Sequence, residues 1–510
     1  MANATTESPQ LLGVASDAVT LGNHGVSWGF GIAKSVTNFG FGVASTCIQT
    51  PAAALESAAG PNPVSSVLQG VGGVVGFAHA ATITGQDVAH AITRASLRTA
   101  KSGLEAAGAR QGELLRLTIG SEAADAVMVV ERLASRLAIP EADVPQLLSA
   151  ASAWGALQKA SAEAAEQQLA VEAAELPENS ERWLRFAAAT FGDVWLAGLL
   201  DGISVSSIAR AQAVRQQGGS VADAAIACAG LEGHVEVLAF EQSTRELFAP
   251  GYLVAVDHGF DTVVVALRGT SSVADALADL NCEPTALELG GHEGTAHDGM
   301  LRAARHLEGT LAALAASGLA RIETEGPRRI IICGHSLGAG VAALLAALWR
   351  DSGRFAGIDV RCIAFACPQV LSAELALAQS NHTTSVVMGD DLVPRFSFAT
   401  AQDLRRATLV LSDPEAYGLP QQFNTQELLA AESRGDTNDL AAAYYAVRPV
   451  VCTSPGRLFP PGRLVHILPS GVRSISQRDV DELRISRDMA SAHMPRRYLL
   501  AVQGVAASEG

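Results

Sequence analysis

The sequence predicts an α/β fold with a mostly parallel central sheet, preceded by an N-terminal, mainly α-helical region. Two observations carry this. From about residue 182 onward, apolar runs of strand length alternate with helix-like stretches, the rhythm of parallel βαβ units. Ile330 to Cys333 is β-branched or small and uncharged, as a strand buried on both faces must be, and it passes within a few residues into the helix-forming stretch Val341 to Leu348. Strands are expected at 252–257, 262–268, 329–333, 360–366, 384–388 and 463–468.

Before the sheet, residues 1–96 are rich in Gly, Ala, Ser, Thr and Val and nearly free of charge. Glycine, proline, asparagine and glutamine break the apolar stretches there. Trp28, Ile32, Val36, Phe39, Val43 and Cys47 nevertheless share one face, about 100° wide, of an ideal helix. That face suits packing on the rest of the protein or a lipid surface, and transmembrane insertion is the third alternative. Residues 97–178 read as helical hairpin pieces broken at Pro140 and Pro145, and "ELPENSER" (175–182) as a linker into the third region, 182–510. The polar, acidic stretch 411–446 interrupts the strand–helix rhythm and reads as an insertion over one end of the sheet.

Composition excludes several functions. A net charge of −16 argues against nucleic acid and against electrostatic docking to anionic membranes. Hydrophobic residues at 48%, charged residues at 17% and a mean hydropathy of +0.22 exclude wholesale disorder and point to contact with lipid. Seven scattered cysteines without a C-x-x-C pair read as small buried residues of a reducing compartment. The start "MANATTESPQ" has no basic segment of a signal peptide, so an intracellular location is expected. "HEGTAH" (292–297) only superficially resembles a zinc motif: its histidines are five apart, so no helical i, i+4 pair forms. No cofactor or metal is expected.

The turn after Cys333 is where chemistry is expected. Gly334, Gly338 and Gly340 also match a dinucleotide-binding glycine pattern, but the next strand ends in Cys367-Pro368-Gln369, with no carboxylate to hold a ribose. Gly334-His335-Ser336-Leu337-Gly338 reads better as a nucleophile elbow of the α/β-hydrolase kind, with Ser336 lifted from the sheet above a helix N-terminus. Such a serine needs an acid and then a histidine later in the chain. Asp390 and Asp391 follow the strand at 384–388, and the residues alone do not separate them. Only His466 and His493 lie beyond. His466 sits in mid-strand among apolar neighbours, as a satisfied core histidine does, whereas His493 stands in a loop and is the better base. The oxyanion of an acyl-transfer reaction would be held by the N–H of Leu337 and by Thr270, at the end of the strand 262–268, a segment that reads equally well as a plain strand–turn–helix capped by Ser271 or Ser272.

In order along the chain come "TVVVALRGTSSVADALADL", "GTAHDGML", "IIICGHSLGAG", "GDDLVPR", "FPPGRLVHI" and "MASAHMPRRY". Together they resemble the class 3 lipases, and within them the sn-1-specific diacylglycerol lipases. The likeness runs in blocks over roughly 240–500, with a weaker echo in "ERWLRFAAATFGD" (181–193). It implies Ser336, Asp391 and His493 as the triad, selecting Asp391 over Asp390, and Thr270 as an oxyanion residue. It further implies a lid at 271–290 and a regulatory role for the insertion. The function implied is hydrolysis of neutral glycerolipids, diacylglycerol (sn-1) or triacylglycerol, at a membrane or lipid-droplet surface. A phospholipase A1, a general carboxylesterase and a catalytically silent interaction protein remain alternatives.

Overall fold

The computed structural model describes residues 144–168, 173–192, 205–231, 233–242, 250–270, 284–324, 326–486 and 488–509. The expected lipid-facing region 1–96, and 271–283 of the expected lid, lie outside the described residues. Among the described residues, no helix is long and apolar enough to cross a membrane.

The helices are α1 (Val144–Gln168), α2 (Ser180–Ala189), α3 (Val205–Gln216), α4 (Val221–Ala229), α5 (Asp298–Leu319), α6 (Leu337–Asp351), α7 (Ala373–Ala378), α8 (Phe398–Ser412), α9 (Thr425–Arg434), α10 (Thr437–Val451) and α11 (Pro495–Glu509). The strands are β1 (Val235–Glu241), β2 (Tyr252–Asp257), β3 (Thr262–Leu267), β4 (Pro284–Leu289), β5 (His292–His297), β6 (Arg329–His335), β7 (Asp359–Phe365), β8 (Thr383–Met388), β9 (Arg463–Leu468) and β10 (Gly471–Ile475). Each of the six expected strands is present. Four more, β1, β4, β5 and β10, join them.

Eight strands form one sheet in the order β1-β2-β3-β6-β7-β8-β9-β10. The centre, β3 to β9, is parallel, and antiparallel strands close both edges. β3 and β6 are buried over almost their whole length, which explains their unbroken apolar runs. Alternate residues serve opposite faces. Leu253, Ala255, Val264, Ala266, Ile331, Cys333, Ile363 and Phe365 join one core with α2, α4 and the start of α11. On the other face, α5 comes so close to β3 that a Cβ at Gly318 would stand 2.9 Å from Val263. β4 and β5 form a separate hairpin across Gly290-Gly291, both with positive φ, as tight strand connections require. The zinc-like "HEGTAH" is β5 itself, and His297 at its end caps α5 by accepting from the Met300 N–H at 3.3 Å.

The chain divides into two compact units. One holds the sheet: Ala170–Asp403, Ser454–Arg484 and Met489–Gly510. The other comprises Met1–Leu169, Leu404–Thr453 and Ile485–Asp488, and its described part is built on α1, α9 and α10. Within it Trp154 of α1 meets Tyr444 of α10 with ring centroids 5.7 Å apart. The close approach at Gly155, where a Cβ would lie 2.5 Å from the Ile485 carbonyl oxygen, and the Ile485 N–H bond to Gln158 Oε1 tie in the short third segment. Cys228, Cys333, Cys362 and Cys367 are buried, and Cys452 is half-buried.

Candidate active site

β6 ends at His335, and Ser336 takes φ 59°, ψ −131°, a conformation that L residues rarely adopt, before α6 begins at Leu337. The turn is tight because backbone meets backbone on both sides. A Cβ at Gly334 would stand 2.4 Å from the carbonyl carbon of Gly338. One at Gly338 would stand 2.3 Å from the Leu267 carbonyl oxygen, at the end of β3. One at Gly269 would stand 2.4 Å from the His335 carbonyl oxygen. Glycine is therefore required at all three, and the last two press the β3 end loop, with Thr270, against the elbow.

The structure brings the expected serine, acid and histidine together. Ser336 Oγ lies 2.8 Å from His493 Nε2, and His493 Nδ1 lies 3.0 and 3.1 Å from the two carboxylate oxygens of Asp391. All three residues are buried. A carboxylate can only accept, so Nδ1 carries the proton and Nε2 is left to take the one on Ser336. His493 ends the short 3-10 turn Ser491–His493, and Pro495, which lacks an N–H, starts α11 two residues later.

Asp391 lies in the turn after β8. The Val393 N–H donates to its Oδ1 at 2.9 Å and the Tyr498 hydroxyl to its Oδ2 at 2.6 Å. Burial by itself would push the carboxyl up, but the His493 charge, with the hydrogen bonds from His493, Tyr498 and Val393, holds it below its ordinary value. Asp390 turns to Arg484 instead, 3.4 Å away. The turn is held from three sides. The wholly buried Arg395 donates from Nη1 to the Asp391 carbonyl at 3.0 Å, the Leu392 N–H donates to the Met489 carbonyl at 3.0 Å, and His466 Nε2 donates to the Gly389 carbonyl at 2.8 Å. His466 is thus a buried, bonded strand residue, and Arg473 donates to its other nitrogen at 3.4 Å. Burial, reinforced by the Arg395 charge, pushes the His466 imidazole well below its usual range. His335 packs against His493 with ring centroids 4.8 Å apart, and burial followed by the His493 charge pushes it down to about 3. It stays neutral beside the site.

The expected oxyanion donors meet at the elbow. The Leu337 N–H opens α6, where no carbonyl of the same helix can take it. The Thr270 hydroxyl is buried and has no hydrogen-bond partner among the described residues. Both groups are free to receive a developing negative charge. The expected lid begins beyond Thr270 outside the described residues, and its later part, Pro284–Leu289, is β4. Three residues that hold the acid, Val393 and Arg395 in "GDDLVPR" and Tyr498 at the end of "MASAHMPRRY", lie inside the quoted blocks, but sequence reasoning assigned them no role. A cleft of about 440 Å³ beside Arg463, Ser474 and Arg478 contains none of these groups.

Residues 264–401 match the family described as Lipase (class 3). Human diacylglycerol lipase-alpha is 31% identical over 243 residues, covering 42% of this chain and 22% of that protein. Mouse diacylglycerol lipase-beta is 30% identical over 305 residues, 50% of this chain and 44% of that protein. The chain thus spans less than half the length of these curated relatives. Among solved structures, a mono- and diacylglycerol lipase from Aspergillus oryzae is similar at 22% identity and a TM-score of 0.33, covering 44% of this chain and 75% of that one. Rhizomucor miehei lipase with its propeptide is similar at 14% identity and a TM-score of 0.36, covering 64% and 80%.

Proposed function

We propose that this chain, which resembles the class 3 lipases in sequence, is a serine hydrolase of neutral glycerolipid esters, with diacylglycerol as substrate and the sn-1 ester as the bond cut. The observation that carries the reading is the hydrogen-bonded line from Asp391 through His493 to a serine held at positive φ above a helix N-terminus. The preference for diacylglycerol rests on the names of the two curated relatives.

In this reading Ser336 Oγ attacks the ester carbonyl carbon while His493 Nε2 takes its proton. Asp391 keeps Nδ1–H pointed at itself and balances the imidazolium. The carbonyl oxygen becomes an oxyanion between the Leu337 N–H and Thr270. When the tetrahedral species collapses, the carbon–oxygen bond to the glyceride breaks and His493 returns the proton to that leaving alcohol. Water then enters by the same route, with His493 again as base, and the fatty acid leaves as Ser336 is restored. The chemistry asks nothing of a metal or cofactor.

The substrate has no net charge and lives in a membrane or droplet, so the protein must work at a lipid surface. With a net charge of −16, apolar burial is the available adhesion, and the nearly uncharged 1–96 region is our candidate to supply it. Two experiments test the proposal. A fluorophosphonate probe should label wild type and not Ser336→Ala. Purified protein given a panel of di- and triacylglycerols, phospholipids and short esters should release fatty acid fastest from diacylglycerol. Absence of labelling would remove the serine mechanism, and faster cleavage of phospholipid would replace the substrate.

A further inference from the structure

Tyr498 stands in the first turns of α11 with no exposed surface, and its ring belongs to the core between that helix and the sheet. Phenylalanine or leucine would fill such a position without a hydroxyl to satisfy. A buried hydroxyl is costly unless bonded, and this one is bonded twice. It accepts from the Met388 N–H at 3.1 Å, at the end of β8, and donates to Asp391 Oδ2 at 2.6 Å. Apart from His493, it is the partner of that oxygen, since the Val393 N–H serves Oδ1. The edge of the same ring meets His335 at 5.5 Å and 83°, and His335 in turn lies 4.8 Å from the ring of His493.

We infer that Tyr498 is a positioning residue for the proposed hydrolysis: its hydroxyl fixes the Asp391 carboxylate from behind, and its ring, through His335, backs the His493 imidazole. The inference rests on the serine hydrolase reading above. Spacing makes the arrangement work. His493 lies two residues before α11 and Tyr498 in its opening turns, so the base and the group that orients its acid are carried by one short segment. Burial and the nearby Asp391 charge push the Tyr498 phenol well above its usual range, so it is a donor at neutral pH. Without the hydroxyl, Oδ2 keeps only its long, shared contact with His493. Apart from His493, the carboxylate is then anchored by the Val393 N–H on Oδ1 and can pivot about that bond, which loosens the bearing of the imidazole on Ser336.

The test is Tyr498→Phe in the full chain, which deletes one oxygen and keeps the ring. Turnover of a short soluble ester is measured per active site, titrated with a fluorophosphonate, so that any misfolded fraction drops out. The expected result is a fall in kcat of roughly tenfold or more, the scale of a lost hydrogen bond to a charged group, with KM changed less than about twofold. A residue that only packs would lower the melting temperature and leave kcat per site unchanged, and that outcome overturns the inference. The second arm is a double-mutant cycle on the rate of fluorophosphonate labelling. In an Asp391→Asn background the same Tyr498→Phe change should slow labelling by less than about threefold, because the carboxylate it orients is gone. An equal loss in both backgrounds would show that the hydroxyl does not act through Asp391. Ser336→Ala separates this inference from its parent. If Ser336→Ala still turns over ester, the serine reading fails. If it is inactive while Tyr498→Phe matches wild type, only the role of Tyr498 fails.

Discussion

Replacing His466 with alanine separates the two histidines that follow the acid, and its cost should depend on pH in a calculable way. The side chain is buried in β9 and donates to the Gly389 carbonyl at 2.8 Å. Losing that bond should cost about 1–2 kcal/mol, and the space left in the sheet about 1–2 more. At pH 8 the variant should therefore be less stable by about 3 kcal/mol. Acid should shrink the gap. Burial and the Arg395 charge hold the His466 imidazole well below its ordinary value of about 6.5, so the folded protein keeps it neutral where the unfolded chain takes up a proton. A base with a depressed folded value leaves stability intact above pH 6.5 and erodes it as pH falls toward that folded value. Below about 6.5 this residue costs wild type stability as pH falls, at most about 1.4 kcal/mol per unit, and the alanine variant is spared. The difference between the two proteins should be smaller at pH 5 than at pH 8. Urea denaturation followed by tryptophan fluorescence at both pH values measures it. Per folded molecule, ester turnover should stay within a few-fold of wild type. An identical stability gap at pH 8 and pH 5 would refute the buried neutral histidine. Loss of turnover as deep as that of His493→Ala would refute the assignment of His493 as the base.

Ser336→Ala should abolish hydrolysis and leave the melting temperature close to wild type. Ser336→Gly should be equally inactive yet more stable than the alanine variant by about 1 kcal/mol, because glycine relieves the positive φ. His493→Ala should lose activity comparably with Ser336→Ala, since the groups act as a unit. Gly338→Ala places a methyl 2.3 Å from the Leu267 carbonyl oxygen, and should cost about 1–3 kcal/mol of stability and most of the activity, read by denaturation and ester turnover. Deleting residues 1–96 should weaken binding to neutral-lipid vesicles and hydrolysis of emulsified diacylglycerol, while a short soluble ester is still cleaved. Added salt should change vesicle binding little, since apolar adhesion is not screened.

The sheet was legible where strands are covered on both faces, because two-sided burial writes itself as an unbroken apolar run. "TVVVAL" in β3 and "RIIIC" in β6 show this. Edge strands hide. β1 carries Glu236 and Glu241 and is mostly half-buried, and β10 is the short, partly polar "GVRSI". The hairpin of β4 and β5 had a readable signal, Gly290-Gly291 between two strand-length segments, which the resemblance of "HEGTAH" to a metal motif obscured. At the site, the elbow was legible because its geometry is local: a few consecutive residues must contain glycines at fixed places. Asp391 and His493 were reachable through chain order and the family resemblance. Residues alone left Asp390 open, and what separates the two aspartates in space is that one faces His493 and the other Arg484. Tyr498 and Arg395 stand in the quoted blocks "MASAHMPRRY" and "GDDLVPR", but their roles were not legible, because what they do depends on atoms that sequence-distant segments bring to them.

The helical unit is assembled from pieces that a ribosome delivers far apart in time. The last residue of α1, Gln168, and the first of α9, Thr425, are separated by about 250 residues. At a synthesis rate of about 5–20 residues per second, the apolar face of α1 waits roughly 10–50 s for its partners. Meanwhile most strands of the sheet emerge and can pair. Trp154, which ends up against Tyr444, spends that interval without its final neighbour. Expression should therefore depend on what shields α1 during elongation, so that chaperone supply and slower growth temperatures limit yield more than the stability of the finished sheet does.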